Sequence, residues 1–119
     1  MIPLLALLVF SQQPAAHAIE GLASYYTVGS SGAMTASGEV LRDDDLTCAM
    51  RDGEFGSYYR VTAQNGRSVV CRLNDRGPFV KKRLVDLSEA AMHKLDPGCR
   101  KGVIKVRVEK VTGPEQTAG

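Results

Sequence analysis

No apolar run in this 119-residue chain approaches the roughly 20 residues a membrane-spanning helix needs; the stretch from Ile2 to Phe10 stops well short. Stable membrane insertion is therefore not expected. Net charge is also scarce. Lys+Arg 15 against Asp+Glu 13 leaves a formal +2, and the basic clusters Lys81-Lys82-Arg83 and Arg100-Lys101 stand beside carboxylates or turns. A nucleic-acid binder would gather such charge on one face, so nucleic acid is not an expected partner. The two histidines, His17 and His93, have no Ser-His-Asp or Cys-His pattern around them, which leaves amide hydrolysis unsupported. The 3 cysteines form no C-x-x-C pair, so neither a metal site nor any other cofactor is expected. The length suits one domain and is too short for two.

What is present begins with an export signal. Residues 1–18 join the apolar run to a polar stretch ending in Ala16-His17-Ala18, a small-x-small pattern that predicts signal-peptide cleavage near Ala18 and a periplasmic or secreted product. The n-region lacks Lys and Arg, and no cysteine near the cut offers a lipid anchor. Outside the inner membrane thiols can pair. Cys71 falls in a strand and Cys48 in a segment expected beside it, so a Cys48–Cys71 disulfide is expected with Cys99 left over. Three reduced, buried thiols are the alternative.

Strand patterns dominate the rest. GLASYY from Gly21 alternates, and Gly29-Ser30-Ser31-Gly32 reads as a loop. Tyr58 to Ala63 and Ser68 to Leu73 flank Asn65-Gly66, a strong hairpin signal. Arg83 to Leu87 is a short strand, after which Ser88 offers an N-cap to the helix Glu89 to Leu95, stopped by Asp96-Pro97-Gly98. Ile104 to Glu109 alternates apolar and charged residues and should close the fold. About six short strands and one short helix predict an all-β closed barrel over residues 19–112, followed by a polar tail, 113–119.

Three carboxylates lie where such a barrel builds its rim. Asp75 ends a Val-rich strand before the Gly77-Pro78 turn, so it either faces a groove with Arg76 pointing elsewhere or hydrogen-bonds the turn. Asp86 precedes Glu89 at capping-box spacing, and is free for a groove only if Ser88 caps the helix instead. Glu39 follows Gly38 in a polar loop and gains meaning in company with the aspartates. Cleaving a glycosidic bond needs a proton donor at the leaving oxygen and negative charge near the oxocarbenium ion, and carboxyl groups supply both. The pairs Tyr25-Tyr26 and Tyr58-Tyr59 each put one ring inward and one outward, where a ring can stack on a sugar or simply cover the barrel.

GLASYY, TASGE, LTCAM, NGRSVVCRLNDRGPF, RLVDLSEAA and GVIKVRV, in this order and spacing, closely resemble the rare lipoprotein A family of septal lytic transglycosylases across Gly21 to Val111. The resemblance implies a six-stranded double-psi β-barrel acting on peptidoglycan glycan strands; a monomer is expected. In that chemistry the muramyl C6 hydroxyl replaces water and leaves a 1,6-anhydro end. By motif, Asp75 would be acid and then base, Glu39 charge stabiliser or second acid, and Asp86 part of the same groove. Tyr26, Thr35, Ser37, Asn74 and Arg76 would contact substrate. Met50 stands where relatives carry a groove histidine, and Gly53-Glu54-Phe55-Gly56 replaces Leu-Pro-Phe-Gly. The resemblance equally admits a non-catalytic, expansin-like module that binds the polysaccharide.

Overall fold

A computed structural model of the chain describes residues 18–114; the expected leader up to residue 17 and the tail beyond 114 lie outside the described residues. Six strands carry the fold: β1 (Ile19–Tyr26), β2 (Thr47–Ala49), β3 (Tyr58–Ala63), β4 (Ser68–Asp75), β5 (Arg83–Ser88) and β6 (Ile104–Val111). They close in the order β1-β5-β2-β4-β3-β6, with β6 returning to β1. The pairs β1/β5 and β2/β4 are parallel and the other four antiparallel. Closure leaves no strand edge open to pair with another chain.

Side-chain alternation sets which face is inside. On β3, Tyr59, Val61 and Ala63 are buried while Tyr58, Arg60 and Thr62 are not, and on β6 Val106 and Val108 point in while Arg107 and Glu109 point out. With Cys48, Leu73, Val85 and Leu87 these residues fill the barrel; each such fully buried Leu stabilises by about 1.5–3 kcal/mol. The hairpin between β3 and β4 forms where Asn65-Gly66 predicts it. Gly66 adopts φ 89, a left-handed conformation that costs a Gly little, and Asn65 Oδ1 accepts the Arg67 amide at 2.9 Å.

Two helices connect strands. A single turn, α1 (Val28–Ser31), occupies part of the expected loop, because Thr27 and Ser30 cap one another reciprocally. The longer helix, α2 (Glu89–Leu95), is buried through Ala91, Met92 and Leu95 and packs beside β4 and β5. Ser88 caps it. Its hydroxyl accepts from the Ala91 amide (3.2 Å) and from the Thr47 amide (3.3 Å), and donates to the Asp45 carbonyl (2.6 Å). One side chain thus joins α2, β2 and the segment before β2. No helix among the described residues is long and apolar enough to cross a membrane.

The expected Cys48–Cys71 bridge is not formed, and both residues are buried free thiols. Cys48 lies opposite Leu73 on β4, and the Cys71 thiol is close beside it inside the barrel. Burial, together with the Cys71 thiol beside it, raises the Cys48 thiol well above its ordinary range. Cys99 is a partly exposed free thiol.

Replacing Ser88 with Ala should destabilise the barrel by about 2 kcal/mol, since it removes a helix cap and leaves a buried carbonyl unpaired. Urea unfolding of Ser88→Ala beside Ser88→Thr checks this: the threonine variant should keep most of the stability.

Candidate active site

The end of β4 is bulged, and the bulge builds the site. Thr47 pairs with Arg72 and Cys48 with Leu73, but Ala49 pairs with Asp75, so Asn74 is one residue extra on β4. Plain alternation would turn Asp75 inward behind Leu73. The inserted residue instead puts Asp75 on the outer face with Arg72.

Across the sheet the register continues from Asp75 to Ala49, from Ala49 to Asp86 and from Asp86 to Ser24, one residue each on β4, β2, β5 and β1. Residues in such a row share a face, and two strand spacings put the Asp75 and Asp86 backbones about 10 Å apart. Ala49 between them presents only a methyl group. The Ser24 hydroxyl donates to Asp86 Oδ1. Because Ser88 caps α2, Asp86 is free to take this outward position.

Two positions beyond Ser24, Tyr26 lies on the same face with its hydroxyl buried and without a hydrogen-bond partner among the described residues. Burial first, then the charges of Asp75 and Asp86, push this phenol far above its ordinary range, so it stays neutral and keeps its proton.

The loop carrying Glu39 is fastened to the bulge. Asp75 Oδ1 accepts the amides of Ala36 and Arg76, both at 2.9 Å, and the Ser37 amide donates to the Asn74 carbonyl at 3.1 Å. Within the loop, the Thr35 hydroxyl donates to the Glu39 carbonyl (2.7 Å) and the Ser37 hydroxyl accepts the Glu39 amide (3.2 Å). The Glu39 carboxylate is thereby carried over β4. Its Oε1 accepts from Asn74 Nδ2 at 2.9 Å and from Arg72 Nη2 at 3.0 Å. Those two bonds, the Arg72 guanidinium above all, hold Glu39 below the usual carboxylate range. Glu39 is thus tied to a cation and an amide on β4.

Of the residues expected to contact substrate, Thr35, Ser37 and Asn74 shape the loop and its seat, and Tyr26 faces the groove. Arg76 is otherwise engaged. Its guanidinium donates to the carbonyls of Gly53 (2.7 Å) and Met50 (3.4 Å) and lies 4.1 Å from the Phe55 ring centroid, bracing the 50–55 segment. The Met50 amide in turn donates to the Asp75 carbonyl at 3.2 Å, so the side chain standing for the relatives' histidine is next to the bulge. Sequence reasoning missed Ser24, Arg72 and Asp45, the last of which shares Arg72 at 3.3 Å. Arg72 could have been found from its spacing to Asn74, two positions along one strand.

This acidic face is separate from a cavity of about 610 Å³ on another wall, lined by Lys82, Lys105 and Arg107 among others. In the ring of strands β6, which contributes Lys105 and Arg107, is diametrically opposite β2. Among the described residues no group of three or more His, Cys, Asp or Glu side chains is arranged to hold a metal ion.

A closed six-stranded barrel with parallel β1/β5 and β2/β4 pairs defines the class: this is a double-psi β-barrel. The chain matches the family described as lytic transglycolase over residues 18–108 and belongs to it. It is similar to the endolytic peptidoglycan transglycosylase RlpA of Haemophilus influenzae, 46% identical over 91 residues that cover 76% of this chain and 31% of that protein. The Pasteurella multocida protein of the same name is 40% identical over 102 residues, 85% of this chain and 34% of its own. The chain thus spans about a third of these relatives' length. Among solved structures, the Streptomyces papain inhibitor shares the fold at TM-score 0.66 and 24% identity, covering 82% of this chain and 97% of that one. A Clavibacter michiganensis expansin does so at TM-score 0.63 and 22% identity, covering 83% and 52%.

Since Glu39 is depressed in the folded chain, the stability it brings is present above its unfolded pKa and is lost as pH falls through the folded value. Arg72→Met should accordingly melt below wild type at about pH 7, and the gap should close by about pH 2, where the carboxyl is protonated. The gap will be small, because the Glu39 side chain is 43% exposed and solvent screens the pair. Thermal midpoints at the two pH values decide it; a gap that persists in acid would mean Arg72 acts through packing.

Proposed function

We propose that this barrel is the catalytic unit of a lytic transglycosylase that cleaves peptidoglycan glycan strands. The observation that carries the reading is the convergence of an Arg72-paired Glu39 and an outward Asp75 on one bulged strand end, tied by the same loop. Asp75 Oδ2, the oxygen that accepts no hydrogen bond from the described residues, is the proton carrier. It gives its proton to the glycosidic oxygen as the C1–O bond breaks, and Glu39 opposes the positive charge developing at C1. The C6 hydroxyl of the same muramyl residue then attacks C1 and its proton goes to Asp75. The C1–O6 bond closes the 1,6-anhydro ring, and Asp75 ends protonated as it began. Asp86, with Ser24, lines the adjoining part of the groove, and the neutral Tyr26 phenol supplies a hydrogen-bond donor.

This activity requires delivery to the wall, in keeping with the export pattern in residues 1–18. The chain would act there, in the periplasm or outside the cell, as a monomer. One observation favours the second reading, a polysaccharide-binding module without catalysis. Met50 beside Asp75 removes an ionisable group that relatives carry in the groove.

Protein comprising residues 19–119 should release anhydro-muropeptides from purified peptidoglycan, read by mass spectrometry. Asp75→Asn should lower release at least about a hundredfold with the fold retained, as expected for loss of a general acid and base. Full activity in that variant would remove Asp75 from the chemistry. No anhydro product from wild type, with peptidoglycan still retained in a pull-down, would leave the binding module as the function.

A further inference from the structure

Large apolar side chains stand exposed on both sides of the acidic site. Phe79 is 79% and Val80 55% exposed just after the Asp75-Arg76-Gly77-Pro78 turn, and Met34 (70%) and Val40 (56%) pair across the base of the Glu39 loop. Exposing this much apolar surface costs free energy that no contact among the described residues offsets. These side chains are also not on a loose segment. Arg51 donates to the Pro78 carbonyl at 2.9 Å and Arg76 to the Gly53 carbonyl at 2.7 Å, so the turn carrying Phe79 is braced on both sides. The Phe79 ring folds back over Gly77, where an added Cβ would meet ring carbon Cε2 at 3.5 Å. Ring atoms Cε2 and Cδ2 thus lie beside Gly77, while most of the ring is open to solvent four residues from Asp75.

A pyranose has hydroxyl groups around its edge and patches of C–H bonds on its faces. An acidic, hydrogen-bonding floor suits the edge, and an aromatic ring beside it suits the face. We propose that Phe79 is a sugar-stacking platform, holding a pyranose ring of the glycan strand adjacent to those at the Asp75 site. Val80 follows it in the chain, and Met34 and Val40 bridge at the base of the loop that carries Glu39. The inference rests on a glycan as the ligand of the Asp75 site and names the side chain that grips it. Phe79 is four residues from Asp75, on the turn that β4 feeds, which is why one long polymer, rather than a separate protein partner, is the occupant.

Binding of purified, peptide-free glycan strands to wild type, Phe79→Ala, Phe79→Leu and Phe79→Trp tests it, with anhydro-end release measured in parallel. Phe79→Ala should weaken binding about tenfold, Phe79→Leu nearly as much, and Phe79→Trp should restore it, because stacking needs a flat face and not merely apolar bulk. Thermal midpoints should stay close to wild type, since the ring is exposed. A leucine variant that binds as wild type does would overturn the stacking role, as would unchanged binding by Phe79→Ala. Either result, with wild type still releasing anhydro ends, leaves the catalytic reading standing. Loss of binding in Phe79→Ala with no release by wild type sustains the platform and removes the enzyme. Wild type that neither binds nor cleaves glycan would overturn both.

Discussion

Asp75 accepts the amide of Ala36 from a loop 39 positions earlier in the chain, and the geometry of the acidic groove depends on that bond. Because the carboxylate belongs to a barrel strand, the loop inherits the rigidity of the wall. The Ser37 amide on the Asn74 carbonyl adds a second point of attachment, and two points fix orientation as well as position. Glu39 then has little choice of place. Its carboxylate meets Asn74 and Arg72, which already protrude from β4. Catalytic geometry of this kind works best when functional groups sit on regular elements and are held by neighbours.

The same bonds divide labour between the acidic groups. Arg72 and Asn74 hold Glu39 below the usual carboxylate range, and the Asp75 carboxylate accepts two backbone amides through one oxygen. Two carboxyl groups used for different tasks need different surroundings, and a cationic partner for one of them is the simplest way to provide it. Arg72 also reaches Asp45, so its charge is shared and its position is set from two sides. The neighbouring Arg76 takes no part in this. It is committed to carbonyls of the 50–55 segment, forming the opposite flank from which Phe79 is braced.

Most of the barrel could be read from the sequence because its strands obey local rules. Alternation marked β3 and β6, Asn65-Gly66 marked the hairpin, and Ser88 marked the start of α2. What escaped was non-local. β2 is only 3 residues long and has no pattern of its own; its place is set by neighbours on both sides. The bulge at Asn74 is likewise invisible in a period-two reading, since a single extra residue reverses the facing of everything after it. Asp75 was recognisable as a site residue from its position before Gly77-Pro78 and from family motifs. Its outward aim and the diagonal offset of Cys48 from Cys71 both required the register of β2 against β4. The carboxylates themselves were legible; the arginine and serine that hold them were not, because partners across strands are decided by pairing rather than by sequence proximity.

Tyr26 brings these strands of argument together. A thioether at Met50 neither donates nor carries a proton, whereas the Ser24 hydroxyl and the Tyr26 phenol are neutral donors on the face with Asp75 and Asp86. Ser24 already donates to Asp86. Tyr26 does not donate to any described residue although its hydroxyl is buried, and an unsatisfied buried donor costs about 1–3 kcal/mol. Folding of the barrel tolerates that cost at the place where a bound saccharide would bring hydroxyl and ring oxygens. Under the function proposed above, a saccharide oxygen that accepted the phenolic hydrogen would recover it. A ligand that fitted only the exposed apolar side chains would leave the phenol unpaired and gain nothing there.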